Sequence, residues 1–148
     1  VFYGCKNAVP LFYSARNFSL THSIIYGCYE AGVWYGVETE PGTAFDFRNN
    51  IFSHCAYFWV SAGDGNHPLY RFSNSLISGN TNFLGIHHDG RLSPIKGKDT
   101  HTENGIRRAG EVILVHTTAE GTIPHDDLQL APNSAGLDID AEIFKLHK

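Results

Sequence analysis

Three windows of this chain carry one arrangement of apolar and polar positions. The first reads Phe18-Ser19-Leu20-Thr21-His22-Ser23-Ile24-Ile25-Tyr26-Gly27-Cys28 and the second Phe45-Asp46-Phe47-Arg48-Asn49-Asn50-Ile51-Phe52-Ser53-His54-Cys55. The third is Tyr70-Arg71-Phe72-Ser73-Asn74-Ser75-Leu76-Ile77-Ser78-Gly79-Asn80. Successive copies are 27 and then 25 residues apart, and the columns Ile24/Ile51/Leu76 and Ile25/Phe52/Ile77 keep those offsets. Val1-Phe2-Tyr3-Gly4-Cys5 matches Ile24 to Cys28 at an offset of 23, a fourth copy without its opening strand. The chain is therefore expected to begin partway through a rung.

A repeat of this length marks a stacked array rather than a folded-once domain. Each copy opens with alternation, as in Phe45-Asp46-Phe47-Arg48, the period of a strand with one buried face. The copies are rich in Ile, Val, Phe and Tyr, which suit a pleated surface. No i, i+3, i+4 spacing recurs, which argues against a helical solenoid. Strands are predicted near 18–21, 24–26 and 31–35, then near 45–48, 51–53 and 57–60, with another near Val9–Phe12. Pro10 has no amide donor and belongs at an edge or a corner.

The strand, Asn/Ser, apolar-pair pattern of residues 1–86 resembles the right-handed parallel β-helix proteins, a group that includes pectate-lyase-like domains. The tail Asp127-Leu128-Gln129-Leu130-Ala131-Pro132-Asn133-Ser134-Ala135-Gly136-Leu137-Asp138 is similar to an ending common in secreted bacterial members. It departs from that ending at Ala135, where Pro is usual, and at Asp140, where Gly is usual. The expected fold is thus all-β: a right-handed parallel β-helix of about four rungs over 1–86, with 87–148 as a loop-rich flank and cap of the same domain. The resemblance implies an extracellular or periplasmic protein.

Composition sharpens this division. Of 19 aromatic residues, 18 precede His87, whereas 10 of 15 acidic residues follow Ile86. The first part builds a packed interior and the second a polar cover. At 148 residues the chain is one domain by size, long enough to bury a core. The net charge of −4 gives no reason to expect nucleic acid or an anionic membrane as a partner. No run of 18 or so apolar residues is present, so no membrane-spanning helix is expected. Residues 36–42 and 61–68 read as loops leaving the repeat at the same place and projecting side by side. Thr102 to Arg108 is predicted as a short helix, Glu111–Thr117 as a buried strand and Leu128–Leu130 as another, the tail capping one end of the coil. An open rung at Val1–Phe2 is expected to pair with another chain, since free edges recruit partners.

Candidate chemistry falls into six groups. Cys5, Cys28 and Cys55 share a column continued by Asn80; stacked about 4.8 Å apart, they do not converge on one ion, and buried thiols at a corner are expected, with a strained disulfide as the alternative. No metal site is therefore expected. His22, Asn49 and Asn74 form a column at a bend, where Asn tolerates left-handed backbone and bonds its neighbours. Asp46, Arg48 and Arg71 share the outer face of the opening strands. They read as an exposed cross-strand group worth about 0.2–1 kcal/mol, or, by the resemblance, as a lyase base with an ion ligand, which would bring in calcium.

The loop residues Glu38, Glu40, Asp64 and His67 supply carboxylates for a glycosidase pair or are simply solvated. Trp34, Tyr35, Tyr57 and Trp59 lead into those loops. If Phe58 and Val60 point inward, then Tyr57 and Trp59 point outward and, with Trp34, offer rings to a sugar; a one-residue slip reverses that assignment, and core or subunit contact is the reading favoured over the sugar strip. His87-His88-Asp89 resembles a metal cluster, but neighbouring residues of a strand face opposite ways. The leading functional expectation is a non-catalytic scaffold or carbohydrate-contacting portion of an extracytoplasmic β-helix protein, with polysaccharide as partner. The alternative is a polysaccharide lyase or glycoside hydrolase using the outer strand face and the loops.

Overall fold

A computed structural model describes residues 1–11, 17–36, 44–62, 69–95, 105–115 and 129–139. The chain climbs in four rungs. The first supplies β1 (Phe2–Tyr3) and β2 (Asn7–Leu11), and the second β3 (Ser19–Thr21), β4 (Ile24–Tyr26) and β5 (Ala31–Tyr35). The third supplies β6 (Ala44–Arg48), β7 (Ile51–Ser53) and β8 (Tyr57–Ala62), and the fourth β9 (Leu69–Ser73), β10 (Ser75–Ser78) and β11 (Asn82–His88). Two strands follow, β12 (Arg91–Pro94) and β13 (Ile106–Arg107).

Corresponding strands stack into three sheets. Sheet A runs β1-β4-β7-β10-β13, sheet B runs β12-β11-β8-β5-β2, and sheet C runs β3-β6-β9. Every pairing between rungs is parallel, and in sheets A and C it falls in the register read from the repeat: Ile24 opposes Ile51, which opposes Leu76. In sheet B two of the steps shift by one residue, Asn7 opposing Ala31 and Ala31 opposing Tyr57. The molecule is a parallel β-helix of about four rungs. Pro10 sits in β2, the edge strand of sheet B, where its missing amide breaks no ladder.

The interior is aromatic because the inward columns stack like on like. Phe47 lies flat against Phe72 at 4.7 Å and meets Phe52 and Trp59 edge-on. Phe58 joins them through Phe52 at 5.1 Å and Phe72 at 5.6 Å. Such offset and edge-to-face contacts add to the gain from burial. One feature departs from simple alternation. In sheet B the pairing passes from Ala31/Tyr57/Asn82 directly to Val33/Trp59/Leu84, skipping Gly32, Phe58 and Phe83. The strand bends at that column, and both Phe58 and Trp59 lie in the core.

Sheet A is covered on both sides. Ile25, Phe52 and Ile77 face the interior, whereas Ile24, Ile51 and Leu76 face out and form a second core with Val112, Leu114, Leu130 and Ile139. The apolar pairs Ile24-Ile25, Ile51-Phe52 and Leu76-Ile77 are the sequence form of a sheet buried on two faces. β13 extends sheet A past the last rung, and the described residues 111–115 and 129–139 lie along the flank, against Ile24, Ile51 and Leu76 of three rungs. The tail is pinned by Ser78 Oγ donating to the Gly110 carbonyl and by a two-pronged Arg107–Asp138 bridge at 2.8 and 3.0 Å. Arg107 holds the Asp138 carboxyl below the usual range. Gly136 approaches so closely that a Cβ there would stand 2.6 Å from Ile51 Cδ1.

Further corrections concern the tail. Ile106–Arg107 is a strand, not part of a helix, because the free edge of β10 offers it a ladder. Within the described part of 111–117 only Leu114 pairs, by a single antiparallel bridge to Leu130. The last strand of the fourth rung runs on past Ile86 into a hairpin, where the stretch after 86 was expected to be loop-rich: β11 and β12 run antiparallel around Asp89 and Gly90, both at positive φ (49° and 72°). Asp-Gly between alternating segments is the two-residue turn signal, and it stands in the sequence.

Candidate functional site

The outer faces of sheets B and C carry the candidate residues. On sheet C, Asp46 opposes Arg71, and Thr21, Arg48 and Ser73 form the next column. Asp46 is half-buried; Arg48 and Arg71 are exposed. Among the described residues Asp46 and Arg71 are register neighbours without an ion pair between them. No group of three or more His, Cys, Asp or Glu among those residues is placed to hold a metal. Glu38, Glu40, Asp64 and His67 lie outside the described residues.

Sheet B gathers the aromatic candidates differently from the expected strip. Trp59 is 1% exposed, packed among Tyr35, Phe47 and Phe72, with its indole N–H donating to Ser61 Oγ at 3.2 Å. It is a core residue, not a ligand contact. The bend at Phe58 turns two successive side chains inward, so alternation counted from Phe58 misplaces it. Tyr57 and Trp34 remain on the outside, each half-buried. The Tyr57 ring lies against Gly85, where a Cβ would stand 2.5 Å from it. Glycine at 85 is what permits that ring to lie down. From β5, Trp34 reaches across β8 to His87 on β11, with ring centroids 5.0 Å apart. Val60, beside Trp34 in register, is fully buried beneath this cover. His88 faces the opposite way and meets Asp89 at 3.3 Å, so the His-His-Asp run forms no cluster.

The two predicted columns are ladders. His22, Asn49 and Asn74 have φ of 53°, 56° and 42°. Asn74 Nδ2 donates to Asn49 Oδ1, and Asn49 Nδ2 donates to His22 Nε2, both at 2.9 Å. The three cysteines are free thiols, with Cys28 and Cys55 in the core. Its hydrogen bond with Cys55 and its burial push the Cys28 thiol well up, and burial, then Cys28, raises Cys5.

His54 went unrecognised, although the repeat marks it. Gly4, Gly27 and Gly79 occupy its column, all at positive φ, and His54 adopts φ 57° in their place. A side chain in that conformation costs about 1–2 kcal/mol. Its ring stacks on Tyr26 at 4.4 Å, and Nδ1 bonds Ser53 Oγ at 2.7 Å. Tyr26 in turn stacks on Tyr3 at 5.8 Å. Burial lowers the His54 pKa, with Glu111 opposing; burial, then Tyr3 and Glu111, raises that of Tyr26.

A depressed histidine favours the neutral form in the folded state. The stability it contributes is present above the unfolded pKa and is lost as pH falls through the folded one. Urea midpoints of the wild type are therefore expected to fall more between about pH 7.5 and about pH 5 than those of His54→Asn, which tolerates the same backbone. Equal falls in both proteins would remove His54 from the account.

These arrangements define a class, a parallel β-solenoid with one polar and one aromatic outer face. No protein-family model, curated protein or solved structure matches the chain.

Proposed function

We propose that this chain is a non-catalytic, carbohydrate-contacting part of an extracytoplasmic β-helix protein, and that it contacts the glycan through the outer face of sheet B. The observation that carries this reading is the set of outward rings, Trp34 across β8 and Tyr57 over Gly85, on strands paired on both sides. Rings held on a rigid sheet lose little freedom on binding, and aromatic faces suit the half-wet contact a sugar makes. The resemblance to pectate-lyase-like proteins supports a polysaccharide partner and a place outside the cytoplasm.

The test is a glycan panel scored for binding and for new unsaturated ends. Trp34→Ala is expected to weaken the best ligand about tenfold, the worth of one aromatic contact of ~1.4 kcal/mol, with an unchanged circular dichroism spectrum. Asp46→Ala and Arg71→Ala should bind like the wild type. The alternative, a lyase or glycoside hydrolase on sheet C, draws on the adjacency of Asp46, Arg48 and Arg71. Unsaturated or reducing ends that vanish in Arg48→Ala, with binding indifferent to Trp34, would replace the scaffold reading with that one.

A further inference from the structure

We infer that the glycan held by sheet B is a neutral one, lying along the axis of the coil. This rests on the reading of that face as a glycan contact. Pro10, Trp34, Val60 and Gly85 form one outward column across β2, β5, β8 and β11. Two residues further along the strands come Ala62, His87 and Leu92. None of these residues, nor Tyr57, is Asp, Glu, Lys or Arg. At the margin of the sheet, Lys6 and Glu30 are 3.7 Å apart and satisfy each other. On sheet C, Asp46 opposes Arg71, with Arg48 two residues further along β6; on sheet B the described arginine is Arg91, on the edge strand β12, opposite His88 and not His87.

A polyuronide carries a carboxylate on each sugar and loses hydration on any surface it stacks against. That loss is recovered only where cations or strong donors meet the carboxylates. Sheet B offers rings instead, which suit the apolar face of an uncharged pyranose. The outward rings Trp34, Tyr57 and His87 come from the successive strands β5, β8 and β11, so they follow one another along the coil axis. From β5 to β11 they span two strand spacings, about 10 Å, the reach of a short oligosaccharide.

The chain has two tryptophans, and Trp59 is buried, so a Trp59→Phe protein emits from Trp34 alone. The probes are neutral β-linked gluco- and xylo-oligosaccharides of one to three sugars, and oligogalacturonates of the same lengths with and without calcium. Trp34 emission should shift with the neutral series, with affinity rising from one sugar to three. Oligogalacturonates should bind at least about tenfold more weakly. Calorimetry on the wild-type chain and on Trp34→Ala repeats the comparison without the Phe substitution. Oligogalacturonate binding as tight as the neutral series and dependent on Trp34 would overturn the inference and leave the glycan-contacting reading standing. Failure of every glycan to disturb Trp34 and to bind the wild type would overturn both.

Discussion

Trp59→Ala is expected to destabilise the fold by about 3–5 kcal/mol, the range for deleting a large buried aromatic. The indole is almost wholly enclosed and touches rings from three rungs: Tyr35 at 6.2 Å, Phe47 at 6.0 Å and Phe72 at 6.5 Å. Its neighbours belong to different strands of a hydrogen-bonded coil, which limits how far they can close the cavity. Removal also strands the Ser61 hydroxyl that accepts the indole N–H. Chemical denaturation should show a much lower midpoint with an unchanged slope. Trp59→Phe should cost clearly less. The contrast with Trp34 is the useful part, because Trp34→Ala should cost little stability and most of the glycan affinity. A Trp59→Ala protein as stable as the wild type would mean that the interior is not packed as described.

The second large effect belongs to a polar residue. Asn50 is completely buried; its Nδ2 donates to the Leu20 carbonyl at 2.8 Å, and its Oδ1 accepts from the Ser23 amide at 3.0 Å. Both partners are backbone groups of the rung below, at the corner between sheets C and A. Asn50→Ala leaves the Ser23 amide without its partner and takes one bond from the Leu20 carbonyl, which the ladder between β3 and β6 also serves, so a loss of about 1–3 kcal/mol is expected. Ser23 and Ser75 hold this position in the neighbouring rungs, and each hydroxyl donates to a carbonyl two residues back, at 3.1 and 3.0 Å. Asn50→Ser is therefore expected to recover part of the loss. Thermal unfolding of the two variants separates the cases, and equal melting points for Asn50→Ala and wild type would refute the buried-bridge account.

The neighbouring asparagine shows how far the repeat could be read. Asn49 stood out in the sequence because its column held Asn again at 74, and the stacked amides followed. Asn50 did not, since Ser fills its column elsewhere; only the corner geometry, which buries one of two adjacent amides, tells them apart. His54 is the converse case. Its column of glycines was in plain view, but a left-handed backbone is visible only once the turn is closed.

Register and rung order were legible from the chain because a stacked coil puts residues of equal position in contact, so matching columns are matching neighbours. That correspondence carried Ile24 to Ile51 to Leu76 without any knowledge of the backbone. Which way a side chain points was legible only where strands run straight. At the bend in sheet B two consecutive residues turned inward, and Trp59 left the surface for the core. The tail was beyond reach for a different reason: it has no repeat, and its position along sheet A is set by the outward face of Ile24, Ile51 and Leu76, a surface assembled from three rungs and present only after they have stacked.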